Sequence, residues 1–177
     1  QKYRTPLVNF LYRMVRNTAT AEDLAQEVFL RVYRARKQYS PSAKFTTWLF
    51  RIATNLALNS LRDNRYHQMD VSIDAPVEED VAPLQLPARE LRVDEKMIER
   101  DRSEFIRRAI AGLPEKQRVA VLLHKYEEMD YGEIAKILEC SESALKSLLF
   151  RAYETLRVQL APLVAQTEQR AGEGRQS

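Results

Sequence analysis

Apolar side chains in this 177-residue chain recur at intervals of three and four rather than two, so the stretches able to build a core are helical ones. They cover roughly 3–16, 20–37, 46–64, 93–111, 115–128, 131–138 and 142–160. Only four glycines and seven prolines are present, too few for the tight hairpins that short antiparallel strands require. An all-α fold is expected, and the length suits two small domains with modest cores.

The seven stretches are not evenly spaced. Between His67 and about Arg92 the chain carries Pro76, Pro83 and Pro87, a run of acids and no sustained period, which is linker chemistry. The expected organisation is a three-helix domain over 1–66, an acidic flexible linker over 67–98, a four-helix domain over 99–162 and a polar, disordered tail over 163–177. Charge follows the same divisions. Residues 1–66 hold 12 Lys+Arg against 4 Asp+Glu, whereas 67–98 hold 3 against 8 and 99–177 hold 13 of each. A basic first domain suits a phosphate backbone, and the linker would be repelled by one.

Several function classes are excluded by what is missing. One cysteine, Cys140, cannot form an internal disulfide, and His67 and His124 lie far from it, so no metal-ligand spacing exists and a reducing cytoplasm fits best. Cys140 is expected as a buried structural thiol. No apolar run approaches the roughly 20 residues that span a bilayer, and no basic-then-apolar leader opens the chain. No nucleophile–base pair, phosphate-cradling loop or metal cluster can be assembled, so neither catalysis nor a cofactor is expected.

Three helical faces remain that core formation does not use. On the second helix, Thr20 with Asp23 three residues later resembles a capping box, and Leu24, Val28, Val32 and Ala35 form the expected core stripe. Asp23, Glu27, Leu30, Arg31 and Arg34 share a different face. A large apolar side chain within a charged rim is how protein interfaces are built, so this face is a candidate for a protein partner. On the third helix, Phe45, Leu49, Ile52, Ala53 and Leu56 point one way, with Trp48 expected as core packing. Arg51, Asn55, Asn59 and Arg62 point another. Arginine holds phosphate and asparagine can both donate to and accept from a base edge, so this face suits a nucleic-acid strand. The preceding loop, Tyr39 to Lys44, offers small polar groups and one cation beside which an unpaired base can be splayed.

Residues 131–157 carry the clearest motif, two helices separated by a short turn around Glu139-Cys140-Ser141. Ile134, Ala135 and Leu138 give the first helix its inner face. At about 100° of rotation per residue, Leu145, Leu149, Ala152 and Leu156 cluster on one side of the second, and Ser143, Ser147 and Phe150 point the other way, flanked by Lys146 and Arg151. This is the pattern of a helix-turn-helix, whose second helix enters a major groove.

The runs DLAQEVFLRVYRA at 23–35, FTTWLFRIATNLALNSLR at 45–62 and LPEKQRVAVLL at 113–123, followed by the helix-turn-helix, resemble the extracytoplasmic-function group of sigma-70 factors over about residues 3–160. The resemblance implies a promoter-specificity subunit with no activity of its own. Its first domain is then similar to sigma region 2 and its last to sigma region 4. Asp23, Gln26, Glu27 and Arg31, with Leu30, would dock on the clamp helices of the largest subunit of bacterial core RNA polymerase. Lys44 with its loop and Arg51, Asn55, Asn59 and Arg62 would capture the melted minus-ten strand. Ser143, Lys146, Ser147, Phe150 and Arg151 would contact the minus-thirty-five duplex, with the polymerase flap nearby. The acidic linker would occupy a nucleic-acid channel, and an anti-sigma factor is an expected partner. Ala144 and Leu148 depart from the Thr and Arg commonly found at those places, and Leu148 falls at the border between core and outer face.

Two other classes compete with this reading. An ordinary helix-turn-helix regulator would bind duplex DNA unaided, as a twofold pair on a palindrome. It lacks support because the first domain shows no ligand cavity and carries an excess of positive charge. An enzyme lacks a catalytic constellation.

Overall fold

A computed structural model describes residues 2–37, 44–70 and 93–173, and among these every regular element is an α-helix, as the apolar spacing requires. They are α1 (Arg4–Val15), α2 (Thr18–Ala35), α3 (Phe45–Asp70), α4 (Val93–Ala111), α5 (Glu115–Lys125), α6 (Tyr131–Leu138) and α7 (Glu142–Glu173). Helix α1 ends where Arg16 turns left-handed at φ 59° and donates its N–H to the Tyr12 carbonyl. Asn17 follows in extended backbone and caps α2, its side chain accepting from Thr20 N at 2.8 Å. The cap expected at Thr20 is therefore one turn late, because asparagine is as good a cap as threonine and stands at the chain reversal.

The buried line of α2 also differs from the expected stripe. Ala21, Ala25 and Val28 are fully enclosed, while Leu24 and Val32 are half-buried. Helix α2 is gripped by both α1 and α3, and alanines let those backbones come close. The core of this first unit is Leu7, Phe10, Leu11, Met14, Val28, Leu49, Phe50, Ala53 and Leu56, with the Phe10 and Phe50 rings edge to face at 5.3 Å. Trp48 is half-buried beside Phe45, at the rim of that core.

In the second unit, α6 starts with a capping box. The Asp130 carboxylate accepts from Glu133 N at 2.8 Å, and the Glu133 carboxylate accepts from Asp130 N at 3.2 Å. On α6 itself Ile134, Ala135 and Ile137 are buried, with Leu138 of the expected inner face only half-buried, and Leu145, Leu149, Ala152 and Leu156 line the inner side of α7 as expected. Two further expectations fail here. Cys140 is exposed: it follows Glu139, where the chain turns left-handed at φ 53° to end α6, beyond the last buried residue of that helix. The tail expected to be disordered after Pro162 instead continues α7 through Glu173; the run after the proline contains good helix formers, and its polar composition does not oppose a helix. Helix also enters both ends of the segment expected as linker, through Asp70 and from Val93, and the rest of that segment lies outside the described residues.

The two units pack on each other, α3 against α6 and α1 against α4 and α5, and their apolar cores join in one cluster. Arg118 spans the junction. Its guanidinium donates to the carbonyls of Ala111 and Leu113, at the end of α4, and to the Met14 carbonyl of α1 at 2.8 Å. Nearby, Glu104 gathers Arg16 from the first unit at 3.1 Å and Arg107 and Arg108 from its own helix. The sequence pattern contains no sign of this contact between the units.

Candidate nucleic-acid interface

Helix α7 is oriented by its buried stripe, which leaves Ser143, Lys146, Ser147, Phe150 and Arg151 on the outside, all exposed. Its start is held by Ser141, whose hydroxyl accepts from Ala144 N at 3.1 Å. Phe150 is 68% exposed, an unusual state for a phenylalanine on an ordinary solvated face. The hydroxyl groups are not idle. Ser147 Oγ donates to the Ser143 carbonyl at 3.2 Å, and Arg151 Nε donates to the Ser147 carbonyl at 3.3 Å. To meet an external acceptor, Ser147 has only to rotate away from its own helix, a small cost since that bond is exposed. Lys146 forms no ion pair with a described residue. Ala144 is exposed, whereas Leu148 is half-buried against the core, so this position holds no group able to reach phosphate.

The strand-binding candidates, Lys44 just before α3 and the others on it, divide into two sets. Asn55, Asn59 and Arg62 are exposed along one side. Lys44 and Arg51 are also exposed, but both are engaged by the second unit. Lys44 Nζ lies 3.1 Å from Glu133, which also accepts from the buried Thr47 hydroxyl at 3.0 Å, and Arg51 lies 2.5 Å from Glu139. Residues 39–43 of the adjacent loop lie outside the described residues. Sequence reasoning missed Glu133, Glu139, Glu115 and Arg65 altogether. Their partners are 50 to 89 positions away, and helical period reports only neighbours three or four apart.

On α2, Asp23, Gln26 and Arg31 are exposed and Leu30 is 41% exposed, with the Glu27 carboxylate accepting from Arg31 Nε at 2.7 Å across one turn. Tyr33 extends this face, its ring stacked with the Arg36 guanidinium at 3.9 Å. No group of His, Cys, Asp or Glu among the described residues is arranged to hold a metal ion. His124 meets the Tyr153 hydroxyl through Nδ1 at 2.8 Å, a satisfied pair inside the second unit. No helix among the described residues is long and apolar enough to cross a membrane.

Residues 1–66 match the family Sigma-70 region 2, and residues 104–156 match Sigma-70, region 4. The chain is 34% identical over 167 residues to the RNA polymerase sigma-H factor of Pseudomonas aeruginosa, covering 92% of this chain and 84% of that one. With the ECF RNA polymerase sigma factor SigW of Bacillus subtilis it shares 33% identity over 164 residues, covering 91% and 86%. Its fold resembles that of the sigma factor RpoE in a co-crystal with the anti-sigma factor NepR from Bartonella quintana, at TM-score 0.67 and 22% identity over 88% and 89% of the two chains. The chain belongs to the extracytoplasmic-function group of sigma-70 RNA polymerase sigma factors.

Proposed function

We propose that this chain acts in the cytoplasm, without catalytic activity, by binding bacterial core RNA polymerase and delivering it to promoters. In this reading the 1–66 unit docks through Asp23, Gln26, Glu27, Leu30 and Arg31 of α2 on the clamp helices. Its α3 face, with Lys44, Arg51, Asn55, Asn59 and Arg62, receives the melted minus-ten strand. The unit from 99 onwards, beside the flap, lays α7 into the minus-thirty-five duplex.

The observation that carries the reading is the outer face of α7: two short hydroxyls and an exposed phenylalanine at the centre, with a long cation on either flank. Short side chains permit close approach to base edges, an apolar ring suits a thymine methyl, and flanking cations suit phosphate. An anti-sigma factor is a further proposed partner, by analogy with the complex of the Bartonella relative.

The test is to add the chain to sigma-free core polymerase with a library of promoter fragments and map transcript starts. Initiation at a shared pair of sequence elements is expected. A stand-alone regulator would bind duplex DNA without polymerase and produce no starts.

A further inference from the structure

The seam between the two units sets acids against cations with a fixed polarity. Lys44, Arg51 and Arg65 come from the first unit, and Glu133, Glu139 and Glu115 meet them from the second at 3.1, 2.5 and 2.6 Å. Asp130 adds a fourth carboxylate 3.9 Å from Lys44. A carboxylate at such a distance engages an ammonium or guanidinium much as a phosphate oxygen does. Lys44 and Arg51 are two of the three cations assigned above to the minus-ten strand. The third, Arg62, and the amides of Asn55 and Asn59 remain exposed.

We propose that the second unit is an autoinhibitory latch that imitates the phosphate backbone: its carboxylates occupy Lys44, at the start of α3, and Arg51 on it, so that a nucleic-acid strand and the second unit compete for the same groups. The proposal rests on reading the α3 face as the strand-binding surface. Most of these side chains are partly exposed, so each pair is weak and screened by salt, as phosphate contacts are. These pairs give the latch its polarity, while the joined apolar cluster and the Arg16–Glu104 pair add to its hold. Leu30 and its neighbours on α2 stay open in the closed chain, so polymerase can dock before the α3 face is released. That arrangement orders the encounters, polymerase first and strand second, and keeps the free factor off nucleic acid.

The experiment compares the full chain with the triple variant Glu115→Gln, Glu133→Gln, Glu139→Gln. Glutamine retains the acceptor that the α6 capping box needs. A second triple variant, Glu99→Gln, Asp101→Asn, Glu128→Gln, changes the net charge equally at exposed positions away from the seam. Radius of gyration is measured by small-angle scattering, and affinity for a fluorescein-labelled single-stranded oligonucleotide of mixed sequence by anisotropy, at several salt concentrations. The seam variant should be more expanded and bind the strand roughly five- to tenfold more tightly at low salt, with the difference shrinking as salt rises. An unchanged radius overturns the latch, and so does a gain no larger than that of the charge-matched control. Expansion without any gain in affinity overturns the masking and also removes α3 as the strand surface, whereas initiation by the wild-type chain with core polymerase tests the promoter reading separately. As a check that does not depend on loss of charge, Glu139→Arg should open the chain and the added substitution Arg51→Glu should close it again. Failure of the swap to restore compactness overturns the pairing.

Discussion

Arg118 shows how much one side chain can contribute when its partners are fixed. Its guanidinium satisfies carbonyls at the end of α4 that no helical N–H can reach, and adds a positive charge where the helix dipole is negative. Burial lowers its pKa, partly offset by Glu115, but guanidinium remains charged throughout the working range. Arg118→Met should lower the unfolding free energy by about 2–3 kcal/mol in urea titration, because it leaves those carbonyls and that of Met14 unpaired. Arg118→Lys should recover only part, since an ammonium cannot fork to all three; full recovery would reduce the effect to charge alone. Glu127 makes the opposite case. Burial pushes its carboxyl up to about 7, with Arg13 pulling it back. The folded chain thus holds a proton that the unfolded chain releases near 4.5. The associated stability is fully present below that lower value and is lost as pH rises through about 7. Glu127→Gln should flatten the dependence of melting temperature on pH between 5 and 8 and raise it at the alkaline end; an unaltered profile would place the carboxyl in water.

At the scale of the element, what distinguishes α2 and α7 is the side each leaves unused. Leu30 lies beside the Glu27–Arg31 pair, outside a core already filled by Ala21, Ala25 and Val28. Leu30→Glu should reduce affinity for core polymerase tenfold or more, measured by fluorescence titration, with helicity unchanged, since burying one leucine contributes about 1.5–3 kcal/mol. Equal affinity would take Leu30 out of the contact. On α7 the flanking cations and central hydroxyls should separate experimentally. Lys146→Ala should weaken holoenzyme binding to every minus-thirty-five variant alike and reduce the salt slope by roughly one unit for each phosphate no longer neutralised. Substitution of Ser147 should instead re-rank single-base variants, by about 1–3 kcal/mol at one position. If Lys146→Ala re-ranks them and Ser147 substitutions act uniformly, reader and positioner are reversed.

For the molecule as a whole, the joined cores make the two units thermodynamic partners. The single tryptophan, Trp48, reports on the first unit, while far-ultraviolet dichroism reports on all the helices. The two signals should give coincident melting midpoints at low salt, because α1 and α3 cannot unfold without exposing apolar surface of α4, α5 and α6. Separate midpoints would show that the seam is too weak to couple them.

How much of this could be read without coordinates divides along range of interaction. Helix order, the inner stripe of α7 and the outward faces of α2 and α7 follow from spacing, because residues three and four apart in a helix share a side whatever surrounds it. Even the border position of Leu148 is legible in this way. The cap at Asn17 was within reach of local rules and was missed because Thr20 offered a second, equally local cap. Beyond one turn the pattern is silent. Which line of α2 is enclosed depends on two neighbouring helices, and the exposure of Cys140 depends on where a turn sits relative to a core it does not join. The pairing of Lys44 with Glu133, Arg51 with Glu139 and Arg65 with Glu115 depends on α3 lying against α6 and reaching the start of α5, between parts of the chain whose sequence separation exceeds any helical period. The sequence by itself determined the helices and the sides they offer; only the tertiary structure decided which of those sides are free and which face the other half of the same chain.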